Sequence, residues 1–163
     1  AIHTLDENIT ELRGIINDLL PQSLEDEGLI PAIKGMTHQL GSLKDIQVHL
    51  HIENERRFAE DKEKAVFRIL QELINNATKY SKAKNLNIDF LFGESQLKIC
   101  YREDGPGFDP GILQNEGRPG SFGFKSIASR MAYLDGHFEA NTAPGEGFQV
   151  HLSIPLATSS PMK

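Results

Sequence analysis

The sequence has one cysteine, no tryptophan and no long hydrophobic segment. Because Cys100 has no second cysteine to pair with, an intrachain disulfide is excluded, which is typical of proteins in a reducing compartment. No apolar run reaches the roughly 20 residues of a membrane-spanning helix, and no signal peptide opens the chain. These absences predict no membrane contact by these residues.

Positive charge is also scarce. Lysine and arginine number 17 against 23 aspartates and glutamates, and the resulting net charge of −6 argues against a nucleic-acid-binding surface. The 163 residues suffice for one ordinary domain with a complete core. The first residue is Ala1 rather than methionine, which indicates a piece of a longer protein.

The first twenty residues carry apolar side chains at alternating spacings of three and four, the pattern of a heptad seam. It predicts an amphipathic helix over residues 2–20, which Pro21 ends. This helix could pack on its own domain or join an intermolecular bundle, and the residues leave both open. The seam consists of Ile2, Leu5, Ile9, Leu12, Ile16 and Leu19.

A second helix is predicted after this proline. The stretch SLED at 23–26 resembles a capping box with Ser23 as the cap. Gly41 is placed to end the helix. Its apolar stripe is formed by Leu29, Ile33, Met36 and Leu40.

Alternation of apolar and polar residues predicts strands over 46–52, 86–92 and 97–101, and near 137–141 and 147–154. The turn residues at 93–95 predict a hairpin between the second and third strands. Helices are expected at about 61–81 and 123–134. Since each strand has one apolar face, the predicted fold class is α/β: a two-layer sandwich with a mixed sheet covered by helices on one face, and an N-terminal helical segment.

The long helix carries a narrow polar stripe at the edge of its apolar face, formed by Glu72, Asn76, Lys79 and Tyr80. Polar residues at helical spacing more commonly form a solvated surface, but a stripe at this border can line a pocket. Its groups suit a nucleoside triphosphate with its metal. A carboxylate can take a proton, an amide oxygen is a hard ligand for Mg²⁺, and lysine neutralises phosphate.

Two glycine-rich stretches follow. EDGPGFDPG at 103–111 has more glycines than one turn requires, which indicates a backbone that approaches another group closely. GRPGSFGFKSIASR at 117–130 runs into a predicted helix, whose first amides can bind an anion. Neither stretch matches the GxxxxGK[ST] phosphate loop or the strand-linked GxGxxG.

In the order QELINNATKY, hairpin, EDGPGF, GSFGFKSI, LDG and PGEG, these motifs resemble the catalytic ATP-binding domain of sensor histidine kinases. Those domains are GHKL ATPases with the Bergerat fold. The resemblance covers about residues 25–156, and it is greatest to the subfamily with LuxR-type response regulator partners and a short ATP lid. It implies the truncated C-terminal helix of a dimerisation and phosphoacceptor bundle at 1–22, the catalytic domain at 23–157, and a disordered tail at 158–163.

The resemblance implies roles for individual residues. Glu72 would be the general base or would orient a water, and Asn76 would coordinate Mg²⁺. Gly105 and Gly107 would let the loop close over adenine, whose amino group Glu103 would read. Residues 109–120 would form the ATP lid. The full nucleotide-binding set would be Asn76, Lys79, Tyr80, Glu103, Gly105, Gly107, Phe108, Ser121, Gly123 and Phe124.

The function implied by the resemblance is binding of Mg²⁺ and ATP, and transfer of the γ-phosphate to a histidine upstream of Ala1 for relay to a response regulator. The full protein would be a homodimer through its N-terminal bundle, either cytoplasmic or the cytoplasmic part of a membrane-anchored sensor. His3 does not match the phosphoacceptor motif and is interpreted as a surface residue.

Three positions depart from the family pattern. Glu103 stands where the pattern has Asp, Ser121 where it has Gly, and Phe148 where it has Thr. They leave open an alternative, a non-catalytic GHKL module whose degenerate nucleotide pocket serves dimerisation or partner binding. The presence of Glu72 and Asn76, with Lys79, favours the kinase. The N-terminal helix argues against a GHKL serine kinase of the anti-sigma type.

Outside these motifs, His49, His51 and His151 lie on polar faces of predicted strands. A metal ion could bridge them if those strands were neighbours. Cys100 is predicted to be a small buried or half-buried residue.

Overall fold

The computed structural model describes residues 19–80, 82–107, 109–113 and 121–156. The predicted heptad helix lies almost wholly outside these residues, and the predicted tail lies wholly outside them. The helices are α1 (Gln22–Asp26), α2 (Leu29–Lys44), α3 (Glu60–Tyr80) and α4 (Ser121–Tyr133), with a 3₁₀ turn at Pro110–Leu113. The strands are β1 (Gln47–Glu53), β2 (Asn85–Phe92), β3 (Gln96–Glu103), β4 (His137–Thr142) and β5 (Phe148–Pro155).

The five strands form one mixed sheet in the order β1-β2-β3-β5-β4. β1 pairs with β2 in parallel, so the chain between them must cross over, and α3 is that crossover. The β2–β3 hairpin and the remaining pairs are antiparallel. Alternate residues of β2, β3 and β5 are buried, and they share one core with apolar residues of α2, α3 and α4. The predicted two-layer α/β sandwich with a mixed sheet is therefore confirmed.

The start of the second helix differs from the prediction. α1 begins at Gln22 with Pro21 in the N-cap position and no side-chain capping bond, so Ser23 lies inside the helix. The proline ring fixes φ near the helical value, so the chain enters the helix at Gln22, two residues before the start at Leu24 that a Ser23 cap would give. The helix ends at Asp26, and Gly28, with a φ of +100°, lies between α1 and α2.

The predicted end at Gly41 is also wrong, because α2 continues to Lys44. A glycine inside a helix costs only about 1 kcal/mol relative to alanine, so it does not end a helix by itself. The end comes at Asp45, which adopts the left-handed conformation at φ 56°. The predicted apolar stripe of this helix does face the core, and Met36 and Leu40 pack against the border of that core.

An ion pair with a buried carboxylate joins the segment before α3 to the first turn of that helix. The Glu63 side chain is only 1% exposed, and it accepts hydrogen bonds from Arg57 Nε at 3.0 Å and from the Phe58 amide at 3.0 Å. Arg57 in turn packs on Gly28, where an added Cβ would lie 2.5 Å from the arginine Cδ. The pair therefore holds the junction between α1 and α2 against α3.

We expect Glu63→Gln to lower the free energy of unfolding by about 1–2 kcal/mol, because the buried group keeps its shape but loses its charge-assisted bond to Arg57. Urea unfolding measures the change. Glu60→Gln is the matched control: that carboxylate is exposed and pairs with Lys64 at 2.8 Å, an arrangement that contributes little. Equal losses in the two variants would contradict a special role for the buried carboxylate.

Candidate functional site

The predicted stripe of α3 meets the first turn of α4. Glu72 and Asn76 are one helical turn apart, and both are half-buried. Gly123 lies directly against them, since an added Cβ would come within 2.6 Å of Glu72 Oε1 and 2.9 Å of Asn76 Nδ2. The fold thus brings Gly123 together with two predicted site residues, Glu72 and Asn76, that lie about 50 positions earlier in the chain. A glycine is required there for the two polar groups to keep these positions.

The Asn76 side chain ends in a buried atom with an unmet hydrogen bond. Within the described residues, its Nδ2 has no partner. Burying an amide nitrogen without an acceptor is unfavourable, and a bound group could supply that acceptor. A nucleotide with its metal would supply one and would engage the amide oxygen as well.

The residues present fit a magnesium ion that arrives with a nucleotide. Mg²⁺ usually takes one or two protein oxygens together with substrate phosphates and waters, and Asn76 offers one such oxygen. Among the residues that the structure describes, no group of three or more His, Cys, Asp or Glu side chains could hold a metal ion. A preformed protein cage for the metal is therefore absent from this part of the chain.

The start of α4 offers donors for an anion. The helix begins at Ser121, so the amides of residues 121–123 have no acceptor within the helix itself. These amides and the positive end of the helix dipole lie beside Glu72 and Asn76. Lys79, exposed in the last turn of α3, adds a cation on the predicted stripe. Phe108 and the side chains of Tyr80 and Ser121 lie outside the described residues, so their predicted roles stay predictions.

Glu103 ends β3 on the face that the helices cover. Its Oε2 lies 3.0 Å from the hydroxyl of Tyr101, two residues earlier on the same strand. That hydroxyl also lies 3.1 Å from the carbonyl oxygen of Leu73, the residue after Glu72 on α3. Burial, together with the nearby Glu103 carboxylate, raises the pKa of Tyr101 well above its ordinary value. Residues two apart on a strand point the same way, so the spacing of Tyr101 and Glu103 indicates this contact, although the motifs do not include Tyr101.

The neighbouring acid has a structural role. The Asp104 carboxylate accepts hydrogen bonds from the Lys84 amide at 2.8 Å, the Asn85 amide at 2.9 Å and Asn85 Nδ2 at 2.8 Å. The bonds from Asn85 and Lys84 hold the pKa of Asp104 below its usual value. Since this carboxylate anchors the start of β2, Glu103 is the better candidate of the two acids for contact with a base.

The glycine-rich loop packs against the loop that contains PGEG. Gly107 has φ +65°, and an added Cβ would lie 2.1 Å from the carbonyl oxygen of Ala143. Gly147 has φ +74°, and its Cβ would lie 2.4 Å from the carbonyl oxygen of Glu103. The Gly145 amide donates to the carbonyl of Pro106 at 2.6 Å. The close approach at Gly107 is therefore to another loop of the chain, while its predicted place over adenine stays a prediction.

Three aromatic rings connect α4 to the sheet. Phe124, the residue after Gly123, meets Phe148 edge-on at 5.6 Å between ring centroids. Phe148 meets Tyr101 in the same way at 6.2 Å. Phe148 is buried at the start of β5, so the residue that replaces the family's threonine contributes ring packing instead of a hydroxyl.

The order of the strands excludes a metal ion bridging the three strand histidines. β1, which carries His49 and His51, is separated from β5 and its His151 by two strands, so a single ion cannot bridge them. Cys100 is half-buried as predicted, and its Sγ accepts from Gln149 Nε2 at 3.6 Å.

A depression of about 580 Å³ lies on the open face of the sheet, with Cys100 and His151 in its lining. It is across the sheet from Glu72 and Asn76, and its lining contains none of the residues predicted to bind nucleotide. We therefore place the candidate site on the helix side. In the part of the chain that is described, no helix is both long and apolar enough to span a membrane.

Comparison with known proteins identifies a matching family and similar proteins. Residues 61–158 match the family described as "Histidine kinase-, DNA gyrase B-, and HSP90-like ATPase". The chain is 33% identical over 152 residues to the signal transduction histidine-protein kinase/phosphatase DegS of Brevibacillus brevis, covering 93% of this chain and 38% of that protein. It is 29% identical over 155 residues to the sensor histidine kinase ComP of Bacillus subtilis (strain 168), covering 93% of this chain and 20% of that protein. The chain thus spans well under half the length of these relatives.

Solved structures share the fold. The histidine kinase domain of the blue-light activated histidine kinase of Erythrobacter litoralis EL346 superimposes with a TM-score of 0.64 at 18% identity, covering 79% of this chain and 59% of that chain. The Acinetobacter baumannii histidine kinase AdeS superimposes with a TM-score of 0.63 at 14% identity, covering 95% of this chain and 80% of that chain. At these identities the likeness concerns the fold alone.

Proposed function

Since the chain belongs to the family of histidine kinase-, DNA gyrase B- and HSP90-like ATPases, we propose that it binds ATP with Mg²⁺ between α3 and α4, as the catalytic part of a two-component sensor histidine kinase. The observation that carries the proposal is the contact of Gly123 with Glu72 and Asn76, where a buried amide lacks a partner among the described residues. This junction combines an acid, a side-chain amide and the backbone amides at the start of a helix.

Each group at the junction has a distinct part in the proposal. The amides at the start of α4 bind phosphate oxygens, and Lys79 neutralises their charge. The Asn76 oxygen holds the metal ion, which lowers the charge of the phosphates when it is bound. Glu72 accepts a proton or orients the attacking group. Glu103 reads the base, and Gly105 with Gly107 keeps the loop beside it in place.

The finer activity is proposed from the relatives. We infer that the γ-phosphate is transferred to a histidine upstream of Ala1 and passed to a response regulator, and that the full protein is a homodimer through its N-terminal helices. The supporting facts are that the similar proteins are named as histidine kinases and that the three polar residues Glu72, Asn76 and Lys79 are present.

We expect ATP with Mg²⁺ to raise the melting temperature of this chain. At about 100 times its Kd, a ligand adds about 2.7 kcal/mol to the free energy of unfolding. For a chain of this size that corresponds to roughly 5–10 °C. Calorimetric titration should give binding heat under the same conditions.

Two adjacent asparagines provide a matched pair of variants. Asn76→Ala should abolish the magnesium-dependent part of the binding, whereas Asn75→Ala should not, because its side chain points about 100° away around the helix. Absence of both a thermal shift and binding heat in the unaltered chain would refute the nucleotide proposal. Transfer is assayed in a longer form of the protein that includes the upstream histidine, and binding without transfer in that form would favour the non-catalytic alternative.

A further inference from the structure

An aromatic contact holds the first turn of α4 against the sheet. Further along this helix, Ile127 and Met131 are buried and fix its position in the core. In the first turn, Phe124 is half-buried, and its ring meets Phe148 edge-on at 5.6 Å with an interplanar angle of 84°. Helix ends fray readily, because their first amides lack partners within the helix. The position of this turn therefore depends in part on Phe148.

The ring of Phe148 is itself held in place. Phe148 begins β5, is buried, and packs on the fully buried ring of Tyr101 at 6.2 Å with an interplanar angle of 65°. The Tyr101 hydroxyl lies at hydrogen-bonding distance, 3.1 Å, from the carbonyl oxygen of Leu73 on α3. The three rings thus form a path from α4 through the sheet to α3.

This path ends beside the direct contact of the two helices. Leu73 follows Glu72 in the chain, and Phe124 follows Gly123. Gly123 lies against Glu72, since an added Cβ would come within 2.6 Å of Glu72 Oε1. α3 and α4 are therefore joined twice at the candidate site, once directly and once through the rings. A displacement of the first turn of α4 away from α3 must also break the ring contacts.

We propose that Phe148 is a positioning residue that keeps the first amides of α4 beside Glu72 and Asn76, so that the phosphate end of the site is formed before a ligand arrives and accepts a polyphosphate chain even without a base. The inference rests on the proposed function, because it requires phosphates at the start of α4. It gives a role to the phenylalanine that stands where the family pattern has threonine, since threonine has no ring to reach Phe124. A preformed site costs less to occupy than one that must be ordered on binding.

The test titrates ATP and inorganic tripolyphosphate, each with Mg²⁺, into the 163-residue chain. We expect both to bind, and tripolyphosphate to bind more weakly because it lacks the base. Phe148→Leu removes the ring but keeps a buried apolar side chain. It should weaken both ligands by a similar factor, roughly three- to tenfold, which corresponds to the contribution of one aromatic pair.

Phe92→Leu is the matched control. Phe92 is also a buried ring, and it pairs with Phe58 at 6.4 Å between centroids. It lies opposite Leu97 beside the turn of the β2–β3 hairpin, at the other end of β3 from the residue that pairs with Phe148. The same substitution there should leave both affinities unchanged.

Phe148→Thr restores the residue of the family pattern and tests the direction of the effect. If threonine were the better residue in this chain, the variant would bind ATP more tightly than the unaltered chain. If the ring positions α4, the variant should bind both ligands at least as weakly as Phe148→Leu does. Phe148→Leu decides the question if Phe148→Thr does not fold.

The outcomes separate this inference from the proposed function. Failure of the unaltered chain to bind ATP overturns both. Binding of ATP but not of tripolyphosphate, or a loss in Phe148→Leu that is confined to ATP, overturns the positioning role and leaves nucleotide binding intact. An equal loss in Phe92→Leu also overturns it, since a general loss of stability would then account for the effect.

Discussion

Gly107→Ala should lower the free energy of unfolding by about 2–4 kcal/mol. Placing a non-glycine residue in the left-handed region costs roughly 1 kcal/mol. The new methyl group would also overlap the Ala143 carbonyl oxygen, 2.1 Å away, and the Gly147 carbonyl oxygen, 2.9 Å away. Forcing extra volume into a packed contact costs typically about 1–3 kcal/mol. Because backbone atoms are in the way, the two loops must separate, and urea unfolding will register the loss.

Gly145→Ala is the control, in the same loop pair. Gly145 has φ +83°, but an added Cβ would have no neighbour within 4 Å. The stability that Gly145→Ala loses should therefore be limited to the conformational cost of about 1 kcal/mol. The difference between the two variants measures the loop-to-loop contact. Losses of the same size would show that conformation, and not packing, requires glycine at position 107.

Gly123→Ala should weaken the binding of ATP with Mg²⁺ at least about tenfold while changing stability by no more than about 1 kcal/mol. Alanine is the better helix former, which favours the folded state. Its methyl group, however, would overlap Glu72 Oε1 at 2.6 Å and Asn76 Nδ2 at 2.9 Å. Both are side-chain ends that can move aside, so the fold survives while the polar groups leave their positions. Calorimetric titration and urea unfolding on one preparation separate the two effects.

The comparison variant is Gly35→Ala, in an exposed part of α2 with no atom within 4 Å of the added Cβ. It should gain about 0.5–1 kcal/mol of stability and bind nucleotide as the unaltered chain does. Unchanged affinity in Gly123→Ala would mean that nucleotide does not depend on the junction of α3 and α4, and would be evidence against the proposed site.

Element type followed from periodicity wherever one face of an element is buried. β1, the β2–β3 hairpin and α3 lie within a residue or two of their predicted bounds at most ends, because burial imposes a period of two or 3.6 on the chain. Helix ends were predicted less well. Ser23 and Gly41 were assigned from the local chemistry of caps, but the backbone angles at Pro21 and Asp45 decided the ends.

The candidate site also has features that the sequence predicts and features that only the structure reveals. The sequence alone determined the fold class and the polar stripe of α3, because both depend on the pattern of residue types within individual helices and strands. Only the tertiary structure decided that Gly123 closes on Glu72 and Asn76, that Gly107 serves a loop contact, and that the Tyr101 hydroxyl reaches Glu103. These contacts depend on distances between elements that are remote in the chain, and local periodicity carries no information about such distances. A buried hydroxyl or a missing Cβ acquires its role from the atoms packed against it.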